Sequence, residues 1–407
     1  MDKKDSLKIG RKVKVLIRKF RTVWNTMSGN NDTYRIFIDN MGFVNKGDQL
    51  MIQSVLEQIR LYRPDAQALL RKDAFIQNPT YCIKNRIYPL ESKNSGKKHS
   101  KYYVRLVNLL LGDRWLTTPN QVDMILDCRG YHIADSWIKD ESYCHFLENY
   151  YALFSKKNRK LVMLPQAFGP FGNEPSKKSM RFIHEQAHLI YAREQQSYDF
   201  IRELFPESNK IQIAPDFTCL CKPSESPSVQ LPYKQYVLII PNARMLDKTG
   251  DEASSQYLVF LETIVSYLTQ LGEKVYLLNH EGASDEDLMK ELNNRLEKSV
   301  PMLTGLSGTD IKAIIRDSKL LISARFHGVV SGLTQGVPTL CTSWSHKYAE
   351  LLKEHKCEGN MLEVNDLEKS CAIIKEALVN PYKFSSKSGC EQKVEERVRT
   401  MWEMVFG

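Results

Sequence analysis

The 407-residue sequence lacks any apolar run that approaches the ~20 residues needed to span a membrane. Its N-terminus also lacks the apolar core of a secretory signal, so we expect a cytoplasmic protein. The nine cysteines are odd in number and irregularly spaced, which argues against a disulfide framework and against a zinc site. We therefore expect reduced thiols, no bound metal and no cofactor.

A strong charge of one sign is missing from most of the chain, although the formal net charge is +9. Residues 1–24 hold nine basic and two acidic side chains, so this segment alone carries +7 and the remainder only about +2. Nucleic-acid binding usually needs a basic patch on the folded body of a protein. We therefore expect no nucleic-acid partner.

The basic N-terminal arm is predicted to be an amphipathic helix. Its apolar residues recur at steps of three and four, as on one face of a helix: Ile9, Val13, Leu16, Ile17, Phe20, Val23, Trp24 and Met27. The opposite face is Lys and Arg, which suits an anionic membrane surface. We predict that residues 1–30 bind the inner face of the cytoplasmic membrane peripherally, within an arm and linker over 1–33. Docking of this helix on the protein itself or on a partner is the alternative.

Residues 34–221 alternate between strand and helix patterns. The runs at 122–128 and 160–166 are continuously apolar, which is typical of parallel strands buried on both faces. A strand at 34–40, followed by a glycine-containing loop and a helix that ends at Pro64, is the usual opening of a Rossmann-type unit. We predict an N-terminal Rossmann-like domain over 34–221 with a doubly wound parallel sheet.

The same alternation restarts after a stretch rich in Pro and Ser, which we interpret as a linker over 222–232. A second Rossmann-like domain is predicted over 233–390 and a final helix over 391–407, which can cross back onto the first domain. The fold class is therefore α/β, with two Rossmann-like domains facing each other across a cleft. Ligands in such sheets bind beyond the carboxyl ends of the strands.

One apolar stretch, "ISARFHGVVSGLTQGVPTL" at 322–340, contains an arginine and a histidine. Arg325 stands at the end of a predicted strand, and His327 opens the helix that follows. Arginine offers a planar fork for phosphate or carboxylate, and histidine transfers protons near neutral pH. The pair indicates an anionic substrate and proton transfer, and a structural arginine beside a core histidine is the alternative.

Six segments in order resemble the motifs of the polysaccharide pyruvyl transferase family. The strand, R-F-H, helix and G-V-P of 322–340 are similar to its RFH motif. The others, which extend the resemblance over about 34–350, are "NKGDQLMIQSVL", "LPQAFGPF", "YAREQQSYDFI", "APDFTCL" and "LLNHEGASDED".

The resemblance implies a GT-B-like fold and an enzyme that uses phosphoenolpyruvate as its donor. Such enzymes transfer the enolpyruvyl-derived carbons onto two hydroxyls of a sugar, forming a pyruvate ketal and releasing phosphate. The acceptor would be a saccharide of a capsule, an exopolysaccharide or another cell-surface polysaccharide, or its lipid-linked precursor. The N-terminal domain would bind this acceptor and the C-terminal domain the donor.

The resemblance also implies roles for individual residues. Arg193 and Arg325 would bind the anionic groups of phosphoenolpyruvate beside Phe326, and His327 would be the general acid. Asp48 would lie on the sugar side, as a candidate general base. A salt bridge for Arg193 and a helix cap for Asp48 remain open as structural alternatives.

Four further residues are candidates for substrate binding. Asn242, Arg244 and His280 follow strand ends of the second domain, at the side where ligands bind. Gln166 belongs to the segment "LPQAFGPF". For Asn242 and Arg244, an exposed surface loop is an equally good interpretation, and Gln166 can serve only to shape its loop.

The sequence departs from the family pattern after the strand at 122–128. The family commonly has a glycine pair there, whereas this chain has Cys128 and Arg129 and keeps only Gly130. We predict that Arg129 contributes to acceptor selection, together with Tyr131 and Asp135. The departure also keeps open a GT-B-type glycosyltransferase that uses a nucleotide sugar, and a non-catalytic binding protein is a third, weaker possibility.

Overall fold

The computed structural model describes residues 33–91, 117–246, 251–343 and 347–407, and of 251–254 the backbone only. The predicted amphipathic arm lies outside the described residues. None of the helices described is both long enough and apolar enough to cross a membrane.

The N-terminal domain is built on seven parallel strands in the order β3-β2-β1-β4-β5-β6-β7. They are β1 (Arg35–Asp39), β2 (Gln67–Arg71), β3 (Ile87–Leu90), β4 (Met124–Asp127), β5 (Lys160–Gln166), β6 (Leu189–Ala192) and β7 (Ile211–Ile213). Successive side chains of β1 belong to different cores, with Ile36 and Ile38 in one and Phe37 in the other. Both faces of the sheet are therefore covered, which explains the continuously apolar strands.

In the described part of this domain, six helices accompany the sheet. They are α1 (Lys46–Tyr62), α2 (Lys72–Gln77), α3 (Pro79–Lys84), α4 (Ser142–Ala152), α5 (Glu174–Gln186) and α6 (Gln195–Leu204). The side chain of Asn45 caps α1 by accepting a hydrogen bond from the backbone nitrogen of Gly47 at 2.8 Å. Helix α1 ends at Tyr62, two residues before Pro64, because a residue that precedes proline is disfavoured in the helical conformation.

The C-terminal domain has five parallel strands in the order β10-β9-β8-β11-β12. They are β8 (Val237–Ile240), β9 (Val275–Leu278), β10 (Met302–Leu303), β11 (Leu320–Ser323) and β12 (Thr339–Cys341). The helices are α7 (Asp251–Gln270), α8 (Gly282–Arg295), α9 (Gly308–Arg316), α10 (Phe326–Leu333), α11 (Lys347–Glu354) and α12 (Leu367–Val379). The predicted α/β architecture with two Rossmann-like sheets is confirmed. Residues 222–236, which include the predicted linker, form neither helix nor strand.

The last helix, α13 (Cys390–Phe406), returns to the N-terminal domain. The Trp402 ring packs edge-on against Phe217 at 5.7 Å between ring centroids, and the Phe406 ring stacks on Tyr62 at 5.5 Å. The Arg63 guanidinium donates to the Phe406 carbonyl at 2.7 Å. The chain thus crosses from the second domain back to the first.

Direct contacts between the two domains surround the first turn of α1. The backbone nitrogen of Lys46 donates to the carbonyl of His280 at 3.1 Å. The backbone nitrogen of Gly308 donates to the side chain of Gln49 at 3.0 Å. These bonds place the N-terminus of α1 against the C-terminal domain, at the base of the cleft.

Candidate active site

A cavity of about 440 Å³ lies between the two sheets. Its lining includes residues just beyond the carboxyl ends of five strands, β1, β4, β8, β9 and β11: Asn40, Cys128, Asn242, His280 and Arg325. This is the position where parallel α/β sheets bind ligands. The predicted site residues that line the cavity are Asp48, Arg129, Arg193, Asn242, Arg244, His280, Arg325, Phe326 and His327.

His327 lies in the first turn of α10 and is held from two directions. Its Nε2 atom is 3.4 Å from Oδ2 of Asp216. On the other side, a Cβ atom on Gly47 would lie only 2.2 Å from His327 Nδ1, so the glycine permits close approach of α1 to the ring. The imidazole is therefore positioned by a carboxylate of the N-terminal domain and by the backbone of α1.

Asp216 is a site residue that the sequence interpretation did not select. Its Oδ2 atom is also 3.3 Å from Nη1 of Arg193, and its Oδ1 atom accepts a hydrogen bond from the backbone nitrogen of Thr218 at 3.0 Å. Burial raises the pKa of this carboxyl, but His327 and Arg193 outweigh burial and hold the pKa below its ordinary value. The available signal was the motif segment "APDFTCL", which contains Asp216.

Two cations surround Phe326. The Arg193 guanidinium lies 4.0 Å from the ring centroid, and Nζ of Lys347 lies 5.5 Å from it. Burial, reinforced by Arg193 and Arg325, lowers the pKa of Lys347 to about 7. Lys347 lines the cavity and was missed, because it follows the recognised RFH segment by seven residues and no motif marks it.

Arg325 differs from the expectation of an arginine that offers its fork to a ligand. Its Nε atom donates to Asp285 at 2.8 Å, its Nη2 atom contacts the other oxygen of Asp285, and its Nη1 atom contacts Glu281. The reason is that Asp285 lies in the first turn of α8 and Glu281 immediately precedes that helix. Arg325 lines the cavity, but in this structure its charge is compensated by protein carboxylates.

Asp48 lies in the first turn of α1 and lines the cavity. Its role as the helix cap is ruled out, because Asn45 caps α1. One Asp48 oxygen accepts a hydrogen bond from the backbone nitrogen of Gly42 at 3.3 Å. Burial nevertheless raises its pKa to about 7, the range in which a general base works best at neutral pH.

Two of the substrate-binding candidates, Asn242 and Gln166, make hydrogen bonds to the protein's own backbone. Asn242 is buried, which excludes the surface-loop interpretation, and it donates to the Ala324 carbonyl at 2.8 Å while capping residues 243–245. Gln166 does not line the cavity; its amide nitrogen donates to the Leu164 carbonyl at 3.3 Å. Asn242 nevertheless lines the cavity, whereas Gln166 does not, and substrate contact by either residue stays a prediction.

The two other candidates of this group stay at the cavity. Arg244 is exposed in its lining. His280 is buried, and its Nδ1 atom has no hydrogen-bond partner among the described residues. Burial, together with Arg325 and His327, holds the pKa of His280 well below its ordinary value.

Arg129 is a buried structural group rather than a guanidinium that faces a ligand. It pairs with Asp127 and also donates to the hydroxyls of Tyr143 at 2.8 Å and Tyr151 at 3.1 Å. Asp127 is itself buried at the end of β4, and an ionised carboxylate there needs a cation. These contacts fix the loop that follows β4. Arg129 also lines the cavity, and its contribution to acceptor selection stays a prediction.

The site combines charges of both signs with two proton-transfer candidates. Arg193 and Lys347 are the cations around Phe326, and Arg193 makes the salt bridge that the sequence left open, with Asp216. His327 and Asp48 are the two proton-transfer candidates in the cavity lining. Within the described ranges, no group of three or more His, Cys, Asp or Glu side chains could hold a metal ion. All nine cysteines are free thiols.

Comparison with known proteins identifies the family. Residues 45–346, about three quarters of the chain, match the family model for polysaccharide pyruvyl transferase. The chain belongs to the polysaccharide pyruvyl transferase family. It is accordingly a transferase, and the family supports a role in pyruvyl transfer on polysaccharide. No curated protein matches this pyruvyl transferase family member significantly.

Solved structures confirm the GT-B-like fold. A putative UDP-N-acetylglucosamine 2-epimerase from Listeria monocytogenes is similar, with 10% identity, 92% of this chain and 96% of that chain covered, and a TM-score of 0.59. UDP-GlcNAc 2-epimerase from Neisseria meningitidis, bound to UDP-GlcNAc, has 8% identity, coverage of 92% and 99%, and a TM-score of 0.57. HepE from Anabaena, in complex with UDP and glucose, has 13% identity, coverage of 92% and 98%, and a TM-score of 0.53. At these identities the likeness concerns the fold alone.

Proposed function

We propose that this family member transfers the enolpyruvyl-derived carbons of phosphoenolpyruvate onto two hydroxyls of a saccharide, forming a pyruvate ketal. The observation that carries this proposal is the placement of His327 in the cleft, between Asp216 and the backbone of Gly47 and next to Arg193. A proton donor beside cationic groups suits a donor that must be protonated and must release phosphate.

The donor would bind on the side of the C-terminal domain, without any cofactor. Phosphoenolpyruvate carries a phosphate and a carboxylate, and Arg193 and Lys347 supply two cations around Phe326. The free backbone N–H groups in the first turn of α10 add a further anion-binding element. Arg325 would act through Asp285 and Glu281, whose position it fixes, and as a source of positive potential.

In the proposed reaction each of the two sugar hydroxyls loses one proton, and the methylene carbon and the departing phosphate each gain one, so the protons balance. One sugar hydroxyl adds to the central carbon of phosphoenolpyruvate while the methylene carbon gains a proton and becomes a methyl group. The second hydroxyl then displaces phosphate from the same carbon. Asp48, with its pKa of about 7, would accept a proton from a sugar hydroxyl, and His327 would supply a proton to the methylene carbon or to the departing phosphate.

The acceptor would be a saccharide of a cell-surface polysaccharide or its lipid-linked precursor, bound on the side of the N-terminal domain. A lipid-linked acceptor agrees with the basic amphipathic pattern of residues 1–30. Deleting residues 1–30 is expected to abolish cosedimentation with phosphatidylglycerol vesicles, because the segment carries most of the net charge. Vesicles of phosphatidylcholine are the control, and unchanged cosedimentation with the anionic vesicles would remove the membrane proposal.

Ligand-induced stabilisation tests the proposed donor. Phosphoenolpyruvate at 100 times its Kd is expected to raise the free energy of unfolding of the full chain by about 2.7 kcal/mol, measured by thermal or denaturant unfolding. Release of inorganic phosphate in the presence of a saccharide acceptor should accompany it. Stabilisation by UDP-glucose or UDP-GlcNAc, with no response to phosphoenolpyruvate, would instead support the nucleotide-sugar glycosyltransferase.

A further inference from the structure

We propose that an aromatic rim on the loop after β4, formed by Tyr131, His132 and Trp137, binds sugar units of the acceptor beyond the one that reacts. The rim would then contribute binding energy to a chain of sugars that a single sugar cannot obtain. This inference rests on the proposed function for the reaction itself, but it concerns a separate part of the cavity.

The rim extends outward from the proposed donor site. All three aromatic residues line the cavity. The Tyr131 ring lies 6.0 Å from Nζ of Lys347, one of the proposed donor-binding cations. The His132 and Trp137 rings are in contact at 5.1 Å between centroids, and 43% of Trp137 is exposed. The aromatic surface therefore begins beside the donor cations and ends in solvent.

The rim is more exposed to solvent than the side chains that are proposed to react. The side chain of His327 is only 13% exposed, against 43% for Trp137 as a whole. A sugar whose hydroxyls reach His327 and Asp48 thus occupies the inner part of the cavity. The next sugar of a chain would then lie at the rim.

The loop that carries the rim is fixed by several hydrogen bonds. The Nδ1 atom of His132 is 2.6 Å from the Arg129 carbonyl, and the Tyr131 hydroxyl donates to the Gly169 carbonyl at 3.2 Å. The Asp135 carboxylate accepts from the backbone nitrogens of Gly172 and Asn173, which ties the loop to the one after β5. A loop fixed before binding loses little conformational entropy when it binds a ligand.

The chemistry of the rim suits carbohydrate. A pyranose ring presents a face of C–H groups that can pack on an aromatic ring, which removes apolar area from water. The buried pairing of Arg129 with Asp127 places no uncompensated charge beneath this loop. A sugar face packed on the exposed Trp137 ring would remove part of its apolar area from water.

Binding of paired saccharides tests the rim without requiring turnover. The probes are tetrasaccharides of β-1,4-linked glucose, mannose and N-acetylglucosamine, each compared with its monosaccharide by isothermal titration of the full chain. We expect at least one tetrasaccharide to bind the wild type about tenfold more tightly than its monosaccharide. The Trp137→Ala variant should lose that difference, and Trp137→Phe should keep most of it.

Controls separate the rim from a general effect on folding. Tyr382→Ala removes an aromatic side chain that is 90% exposed and does not line the cavity, and it should leave both affinities unchanged. The proposal would be overturned if no tetrasaccharide binds more tightly than its monosaccharide. It would equally be overturned if Trp137→Ala weakens both ligands alike or if Trp137→Phe behaves like alanine. Stabilisation by phosphoenolpyruvate reports on the proposed reaction separately, so the two proposals can fail independently.

Discussion

Replacing His327 with alanine is expected to lower kcat for phosphate release from phosphoenolpyruvate by about 10²–10⁴-fold, the usual contribution of a positioned proton donor. The affinity for phosphoenolpyruvate should change far less, because Arg193 and Lys347 remain. The reason for this split is geometric, since His327 contacts Asp216 and lies against α1, whereas the two cations surround Phe326. Steady-state kinetics and ligand-induced stabilisation measure the two effects separately.

A positioning role for Asp216 can be tested in the same assay. Asp216→Asn keeps an oxygen that can accept from Thr218 but removes the negative charge beside His327 and Arg193. We expect kcat to fall while KM for phosphoenolpyruvate does not rise, because the positive potential at Arg193 increases.

The matched control for His327→Ala is His355→Ala, since His355 is also buried but does not line the cavity. An unchanged kcat in His327→Ala would remove the assigned proton donor.

The fold was predictable where a strand lies within a clear apolar run of the sequence. The predicted strands at 34–40, 122–128 and 160–166 correspond to β1, β4 and β5. Strands β2, β3 and β10 were not predicted, because β2 runs directly into a helix, β3 contains Pro89 and β10 has only two residues. Short apolar runs cannot be assigned from periodicity alone.

The sequence predicted which residue types stand at the strand ends of the candidate site. It did not predict which of these side chains form ion pairs with one another. The sequence shows that Arg325 follows a strand, yet its partners Glu281 and Asp285 are at least 40 residues away along the chain. The same limitation applies to His327 and Asp216, which come from different domains. Tertiary packing brings these groups together, within the C-terminal domain for Arg325 and between the two domains for His327.

The ion pair between Arg325 and Asp285 changes which cations in the cleft are proposed to bind the donor. A bidentate carboxylate on Arg325 satisfies the geometry that the sequence interpretation reserved for the donor. Lys347, which no motif marked, lies instead within 5.5 Å of the Phe326 ring. In the reaction proposed above, Arg193 and Lys347 would supply the donor-binding charge, and the RFH segment would contribute its histidine and its helix N-terminus.

Asp48→Asn is expected to lower kcat/KM for the saccharide acceptor by about 10²–10⁴-fold, as for loss of a general base. In the wild type, burial raises the pKa of Asp48 to about 7, so the active carboxylate forms only as pH rises through that value. The wild-type kcat/KM should therefore increase with pH around 7. The variant should show a low rate without this increase, and a pH profile of kcat/KM for both proteins is the measurement.

The same pKa predicts an opposite effect of Asp48→Asn on stability. Because the pKa in the folded protein lies above the ordinary value of 3.8, the folded state holds a proton that the unfolded state has already released. Wild-type stability therefore falls as pH rises from about 4 to about 7, and the asparagine variant escapes that loss. Its Tm should exceed that of the wild type at pH 8 and by a smaller margin at pH 5.

Asp65→Asn, which changes an exposed carboxylate beyond the other end of α1, is the matched control. A variant that is slower but no more stable at pH 8 would contradict the raised pKa, and one that is more stable but equally fast would contradict the role as base.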